Sequence, residues 1–308
     1  MSEGPDIRLG LYVPPHPHPL LAPEKNEGWG KLRDAFETCR KRVEESGADL
    51  ILVYSTTWPS IIGHQIQAHP NPVFTHVDDD FHFLGSMEYE FKMDSEFANC
   101  FRDFSEERGL HARTVAYDGF PIDTGSVVAL KLLNPDNRIP ACIVSSNVYS
   151  NRAEQIVLGK AARDAISKLG RKVAVVVVAS LSNRMFTEHI EPSEDRIHSA
   201  KDDEWNRKIL EFFEDGRLED ISQLSRDIHG QIRVSKVVAY KPAWWMAATM
   251  GQHNNYDGEV LAYEALHGAG GAVIQLTPSE GGVGDKEFDE DDVEFYHGDR
   301  SVLDQGGI

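Results

Sequence analysis

Asp49-Leu50-Ile51-Leu52-Val53-Tyr54-Ser55-Thr56-Thr57-Trp58 is the stretch whose reading decides the fold. Leu50 to Val53 form a short unbroken apolar run, the pattern of a parallel strand buried on both faces. The run stops abruptly at small hydroxyl residues and an aromatic. In open α/β sheets ligands bind just beyond the carboxyl ends of the strands, so residues 54–58 are expected at the rim of any site. That rim carries Tyr54, Ser55, Thr56 and Thr57 and no strong metal ligand.

Further strands are expected on either side. Residues 7–13 read as a first strand, followed by Pro14-Pro15-His16-Pro17-His18-Pro19, a proline-rich loop expected to be stiff and extended. Residues 29–44 have helical spacing, with Leu32, Phe36 and Val43 on one face. Residues 61–68 alternate weakly as a strand would, and residues 74–91 read as an irregular, aromatic and acidic loop. A helix follows over 95–108 with Ser95 as N-cap. Residues 114–116 and 140–144 are expected strands. Between them lie the turn-rich segment 117–125 and the apolar segment 126–133. Residues 152–169 form an amphipathic helix closed by Gly170, where a left-handed C-cap belongs.

Residues 173–178 are β-branched almost throughout and end in a second rim loop, Ala179-Ser180-Leu181-Ser182-Asn183. Helices are expected over 201–215, 217–228 and 243–250. Strands over 259–265 and 272–276, joined through Gly268, Gly270 and Gly271, complete the sheet. Strands alternating with helices and no internal repeat give one α/β domain over 1–280 with a largely parallel central sheet flanked by helices. Residues 281–308 are acidic and poor in aliphatic side chains, and read as a mobile tail.

Composition narrows the function classes. Apolar and charged residues make up 41% and 26% of 308 residues, ordinary values for a soluble protein with a sizeable core. A net charge of −19 argues against a nucleic-acid partner, which needs a basic surface. No apolar run is long enough for a membrane span, and the N-terminus lacks the basic flank of a signal peptide. Cys39, Cys100 and Cys142 are widely spaced without a Cys-x-x-Cys pair, so reduced, packed thiols are expected rather than a disulfide framework or structural zinc. A cytoplasmic protein fits these features.

Three sets of residues invite a chemical reading. His16 and His18 follow the first strand and could ligate Fe²⁺ or Zn²⁺, although alternate residues of an extended segment point to opposite sides. His64, His69, His76 and His82 with Asp78, Asp79 and Asp80 lack fixed ligand spacing and read as a solvated polar region. Glu259, Glu264 and His267 lie near the last strands without the features of a paired-carboxylate site. Ser180 and Ser182 lack a nucleophile elbow, and Gly268-Ala269-Gly270-Gly271 lacks the strand-to-helix context of a dinucleotide site.

The order of motifs nevertheless resembles a known family. A Pro-His loop after the first strand, a Ser-x-x-Trp turn after the second, the Asp-x-Gly turn within Tyr117-Asp-Gly-Phe-Pro-Ile-Asp-Thr-Gly125 and the Leu-Ser-x loop at 181–183 occur in sequence. Together with Glu194-Asp-Arg-Ile and Asp202-Asp-Glu-Trp-Asn206, they resemble the class III extradiol ring-cleaving dioxygenases, the superfamily of protocatechuate 4,5-dioxygenase. The resemblance runs over residues 7–276 and is greatest to the two homologous subunits of 2-aminophenol 1,6-dioxygenase, of these the α subunit.

Members of that family that carry out ring cleavage hold Fe²⁺ with two histidines and a glutamate and use a further histidine as acid–base catalyst. Carried over by motif, the first ligand falls on Pro15, with His16 one residue away, and the second on Thr57. The catalytic histidine falls on Asn183, and the glutamate near Val237, where residues 234–239 hold no carboxylate. Threonine is a poor iron ligand and asparagine does not shuttle protons near neutral pH.

The resemblance thus implies a non-catalytic chain with no cofactor of its own. It would pair in a hetero-oligomer with a homologous catalytic subunit that carries Fe²⁺ and binds most of the aromatic substrate, a 2-aminophenol or catechol. Trp29, Trp58, Trp244, Trp245, Phe81 and Phe83 are candidates for interface anchors or for core packing. Two other readings stay open. One is an active dioxygenase with a rearranged metal site, in which His16 or His18 joins His64 and a carboxylate. The other is a protein-binding module similar to the Memo family.

Overall fold

The apolar runs form the centre of one sheet. The computed structural model describes residues 5–221, 240–251, 256–279 and 293–298. In chain order these form β1 (Asp6–Val13), α1 (His18–Leu21), α2 (Glu27–Glu45), β2 (Leu50–Ser60), β3 (His64–Gln67), β4 (Val73–Val77) and β5 (Ser86–Glu90). There follow α3 (Ser95–Glu107), β6 (Ala112–Val115), α4 (Thr124–Leu133), β7 (Ala141–Asn147), α5 (Arg152–Leu169) and β8 (Lys172–Val178). The last elements are α6 (Ala200–Glu214), α7 (Lys241–Met250), β9 (Tyr256–Leu266) and β10 (Ala269–Pro278). Eight strands lie in the order β6-β3-β7-β2-β8-β1-β10-β9. β7, β2, β8 and β1 are mutually parallel; β10 and β9 add as an antiparallel hairpin, and β3 runs antiparallel to β7.

Period-two alternation sorts the side chains into two cores. Leu50, Leu52 and Tyr54 of β2 and Val173, Val175 and Val177 of β8 face α3, α5, α6 and α7. Ile51 and Val53 with Ala174, Val176 and Val178 face α2 and α4. Tyr54 is therefore in the core rather than at the rim, stacked on Trp245 at 5.1 Å between ring centroids. The helix ends are well signalled. Asn151 and Glu154 form a capping box at the start of α5, and Gly170 takes a left-handed φ of 62° at its end.

Several sequence expectations are corrected. Ser55-Thr56-Thr57-Trp58 is a bulged continuation of β2, whose register to β7 shifts between Ser55 and Pro59. Residues 74–91 are dominated by the β4–β5 hairpin, a separate two-stranded sheet. β4 is mostly solvent-exposed, so it lacks the one-sided apolar pattern of a core strand. The N-cap of α3 is Asp94, whose carboxylate accepts from the Phe97 amide at 2.9 Å. The apolar segment 126–133 is helix α4, buried nearly all round and hence without an amphipathic signature. The last hairpin turns at His267 and Gly268, both with positive φ (53° and 96°), as a two-residue turn of the primed type requires; Gly270 and Gly271 lie within β10.

Of the expected helix 217–228, residues 218–221 are helical and the rest lie outside the described residues. Within the stretch expected as a mobile tail, residues 293–298 dock on α3 and α5. Glu294 there bridges Arg108 (3.0 Å) and Lys160 (2.6 Å), and the Tyr296 amide donates to the Arg108 carbonyl. β9 is an outer strand that carries Asp257, Glu259 and Glu264. Glu259 pairs with Arg42 at 2.6 Å and Glu264 with Lys31 at 3.4 Å. The three cysteines are free, with Cys39 and Cys142 buried. Among the described residues no helix is long and apolar enough to cross a membrane.

Candidate functional site

The ends of β1, β2 and β8 meet the N-terminus of α4, and there the structure brings Pro15 and Thr57 together. A methyl group placed on Gly125 would lie 2.5 Å from Thr57 Oγ1, 2.5 Å from Val178 Cγ1 and 3.0 Å from Pro15 Cβ. The space between the two carried-over positions is thus filled to contact by the first turn of α4. Asp123, the N-cap of that helix, organises the filling. Its Oδ1 accepts from Ser55 Oγ (2.6 Å), Thr57 Oγ1 (2.6 Å) and the Ser126 amide (3.0 Å). Thr57 Oγ1 in turn accepts from the Gly125 amide at 3.0 Å. The Thr57 hydroxyl is committed in both directions. Neither a proline ring nor that hydroxyl offers a donor to Fe²⁺, so these residues do not fit the ion.

Asn183 lies on the loop after β8. That loop is stitched to β10 by the Leu181 amide donating to the Gly270 carbonyl and the Gly270 amide donating to the Ser182 carbonyl. Buried Asn206 of α6 donates to Ser182 Oγ (2.8 Å) and to the Tyr263 hydroxyl (3.0 Å). The Asp-Asp-Glu-Trp-Asn motif is therefore a brace for this loop. Val237 lies outside the described residues.

His16 and His18 are placed differently from the expectation. Pro17, at φ −75° and ψ −11°, opens the helical turn α1, so the segment is not extended and both imidazoles turn onto one ring, Phe81. Ring centroids are 4.5 Å apart for His18–Phe81, 5.8 Å for His16–Phe81 and 6.1 Å for His16–His18. His267 approaches Phe81 at 5.3 Å, and Trp29 closes the group at 4.5 Å from His18. Burial pushes the His16 imidazole down to about 4 against the pull of Asp78, with His267 adding to the depression. Burial, then the neighbouring His16 and His267, lowers His18 well below its ordinary value. Both rings are neutral near pH 7.

His64 lies apart, on β3, buried beside His111 and Lys241, and burial pushes it down to about 3. Among the described residues no group of three or more His, Cys, Asp or Glu side chains is arranged to hold a metal ion.

The other histidines and acids of the second set serve structure. His76 Nε2 and Asp78 Oδ2 both contact Thr124 Oγ1, at 2.7 and 2.6 Å, which fastens the β4–β5 hairpin to α4; His69 pairs with Asp118. Sequence reasoning missed Asp195. Its carboxylate accepts from Trp29 Nε1 (2.9 Å) and from the His267 and Gly268 amides (2.8 and 3.1 Å), so it holds the last turn beside Phe81. The available signal was its position in the Glu-Asp-Arg-Ile motif. Of the aromatics offered as interface anchors, Trp29, Phe81 and Trp245 are buried in this fold, Trp58 and Trp244 are partly buried, and Phe83 is exposed over about half its surface.

Residues 10–274 match the family model described as the catalytic LigB subunit of aromatic ring-opening dioxygenase. The chain belongs to the LigB family. Among LigB-type relatives, it is 29% identical over 272 residues to the 2-aminophenol 1,6-dioxygenase alpha subunit of Pseudomonas sp., covering 88% of this chain and 99% of that protein. It is 28% identical over 302 residues to the beta subunit of the same enzyme, covering 92% and 97%. To the 3,4-dihydroxyphenylacetate 2,3-dioxygenase of Escherichia coli it is 24% identical over 209 residues, covering 66% and 75%. A crystal structure of the uncharacterized protein JW3007 from Escherichia coli K12 shares the fold at TM-score 0.61 and 13% identity, covering 87% of this chain and 99% of that one.

Proposed function

We propose that this LigB-family chain is the iron-free member of a two-subunit aromatic ring-cleaving dioxygenase, paired with a homologous subunit that binds Fe²⁺. The observation that carries the reading is the filled seat between Pro15 and Thr57, packed by Gly125 and locked by Asp123. A metal there would have to break the Thr57–Asp123 bond and would still lack an imidazole and a carboxylate from these positions. The relatives add support, because the alpha and beta subunits of 2-aminophenol 1,6-dioxygenase are each similar to this chain over nearly its whole length. In such an assembly iron in the partner supplies the oxygen chemistry and a 2-aminophenol- or catechol-type ring is the substrate. This chain supplies a stable surface for the partner to fold against.

Purification from the native host, with iron analysis of the complex and of this chain alone, tests the reading. The expected result is a stable complex with a homologue that carries iron and ring-opening activity, both absent from this chain by itself. Stoichiometric iron with turnover in this chain alone would overturn it in favour of a rearranged centre at His16 and His18. Recovery with unrelated proteins only would point to a binding module instead.

A further inference from the structure

The β4–β5 hairpin stands apart from the main sheet, and among the described residues β4 has β5 as its one strand neighbour. Within its five residues Val73, Phe74 and Val77 are 64%, 47% and 46% exposed. β4 contains no Lys, Arg, Asp, Glu or Pro, so it lacks the side chains that ordinarily keep an open edge from pairing. A groove of about 530 Å³, lined by Val73, Phe74 and Thr75 on one side and by Lys131 and Asn134 on the other, separates the start of β4 from the end of α4.

The ladder fixes which backbone groups face outward. Val73 lies opposite Glu90, and just before it the Phe91 amide donates to the Pro72 carbonyl (3.0 Å) and the Met93 amide to the Pro70 carbonyl (2.8 Å). Antiparallel pairs alternate between bonded and non-bonded, so Phe74 and His76 exchange bonds with β5. The amides and carbonyls of Val73, Thr75 and Val77 therefore point away from β5, along the open edge.

We propose that this edge of β4 pairs with the same edge of a second copy of the chain, antiparallel about a two-fold axis at Thr75. A closed pair needs a surface that complements itself, and β4 does so residue by residue. Thr75 faces Thr75 of the second copy, and its outward amide and carbonyl make that a bonded pair. Val73 faces Val77 of the second copy in the same sense, and Phe74 faces its His76 between them. β-branched, threonine and aromatic neighbours of this kind are favourable across a ladder. Pro72 of each copy falls opposite Asp78 of the other, where the ladder ends.

Charge permits the approach. Glu88 and Glu90 stand on β5, one strand back from the joint. At a strand spacing of about 4.8 Å the two β5 strands lie about 14 Å apart, beyond the screening length of about 8 Å in physiological salt. The pairing does not depend on the assembly proposed above, because both edges belong to this chain.

The test follows the full chain alone by analytical ultracentrifugation over a range of concentrations in physiological salt. So short a ladder covers less than the ~1,200 Å² of a stable interface, so the expected result is a monomer–dimer equilibrium no tighter than about 1 µM. Thr75→Lys changes an exposed side chain and sets two ammonium groups against each other across the axis, which should weaken the dimer ten-fold or more. Thr75→Cys reads the register. Bonded antiparallel partners have Cα atoms about 5.5 Å apart, within disulfide reach, so diamide should link Cys at position 75 into a covalent dimer. Val77→Cys places the two thiols about 13 Å apart along the strands and should link no faster than the unaltered chain. A chain that stays monomeric throughout the series overturns the proposal, and so does growth beyond two copies. Equal cross-linking at 75 and 77, or a dimer that Thr75→Lys leaves unchanged, overturns it as well.

Discussion

Mild acid should unfold this protein through its buried imidazoles, and His64 provides the cleanest measurement. His64 is 1% exposed, both of its ring nitrogens lack a partner among the described residues, and burial together with nearby Lys241 and His111 holds it down to about 3. His16, in a different region, is held at about 4. In both cases the folded value lies below the ordinary 6.5, so the unfolded chain takes up the proton first as pH falls. Stability is full above about pH 7 and falls as the pH drops below about 6.5; the loss is complete only below the folded values.

Near pH 5 an unfolded imidazole is protonated about thirty to one while the folded one is still neutral, a difference of about 2 kcal/mol per histidine. Two such groups amount to about 4 kcal/mol, a large share of the total of roughly 5–15 kcal/mol for a folded domain. His18 acts in the same direction. Urea unfolding followed by circular dichroism at about pH 7.5 and about pH 5 measures the loss. His64→Leu, which places an apolar side chain of similar size at a buried strand position, should reduce the loss by about 2 kcal/mol. A His64→Leu variant that keeps the wild-type dependence on pH would refute the assignment of that share to His64.

Three other outcomes are expected. Asp123→Ala removes a helix cap and the acceptor shared by the hydroxyls of Ser55 and Thr57, and should cost about 1–2 kcal/mol in denaturant unfolding. Gly125→Ala drives a methyl against Val178 and Thr57 and should cost about 1–3 kcal/mol by overpacking, seen as a lowered thermal midpoint; an unchanged midpoint would mean that the seat is looser than described. Asp195→Ala frees the Trp29 indole and the amides of the last turn, so Trp29 fluorescence should shift to the red and amide exchange at His267 and Gly268 should accelerate.

Much of the architecture was legible because its signals are local. The unbroken runs of β2 and β8 and the Gly170 cap of α5 need no tertiary context to be read. The β4–β5 hairpin was missed because an exposed ribbon has no core face to impose a period. α4 was seen only as apolar because a helix buried all round loses its polar stripe. The site was harder. Asp123 and Asp195 look like ordinary turn residues until the chain folds, when each carboxylate gathers donors from distant segments. The grouping of His16, His18 and His267 about Phe81 joins positions far apart in the chain, and no spacing rule anticipates it. Proline content predicts an extended loop at the two histidines, yet proline is equally at home opening a helical turn, as Pro17 does.

The outer strand β9 has a consequence for handling the protein. An eleven-residue strand that is the outermost of its sheet among the described residues is a template on which a foreign strand can grow. Asp257, Glu259 and Glu264 set carboxylates along it, of which Glu259 and Glu264 are partly neutralised by Arg42 and Lys31. A second copy approaching edge to edge brings the same negative row to the same place. In a chain with a net charge of −19, dilute salt should keep that edge from zippering, and acid or concentrated salt, which mute the repulsion, should bring on aggregation first.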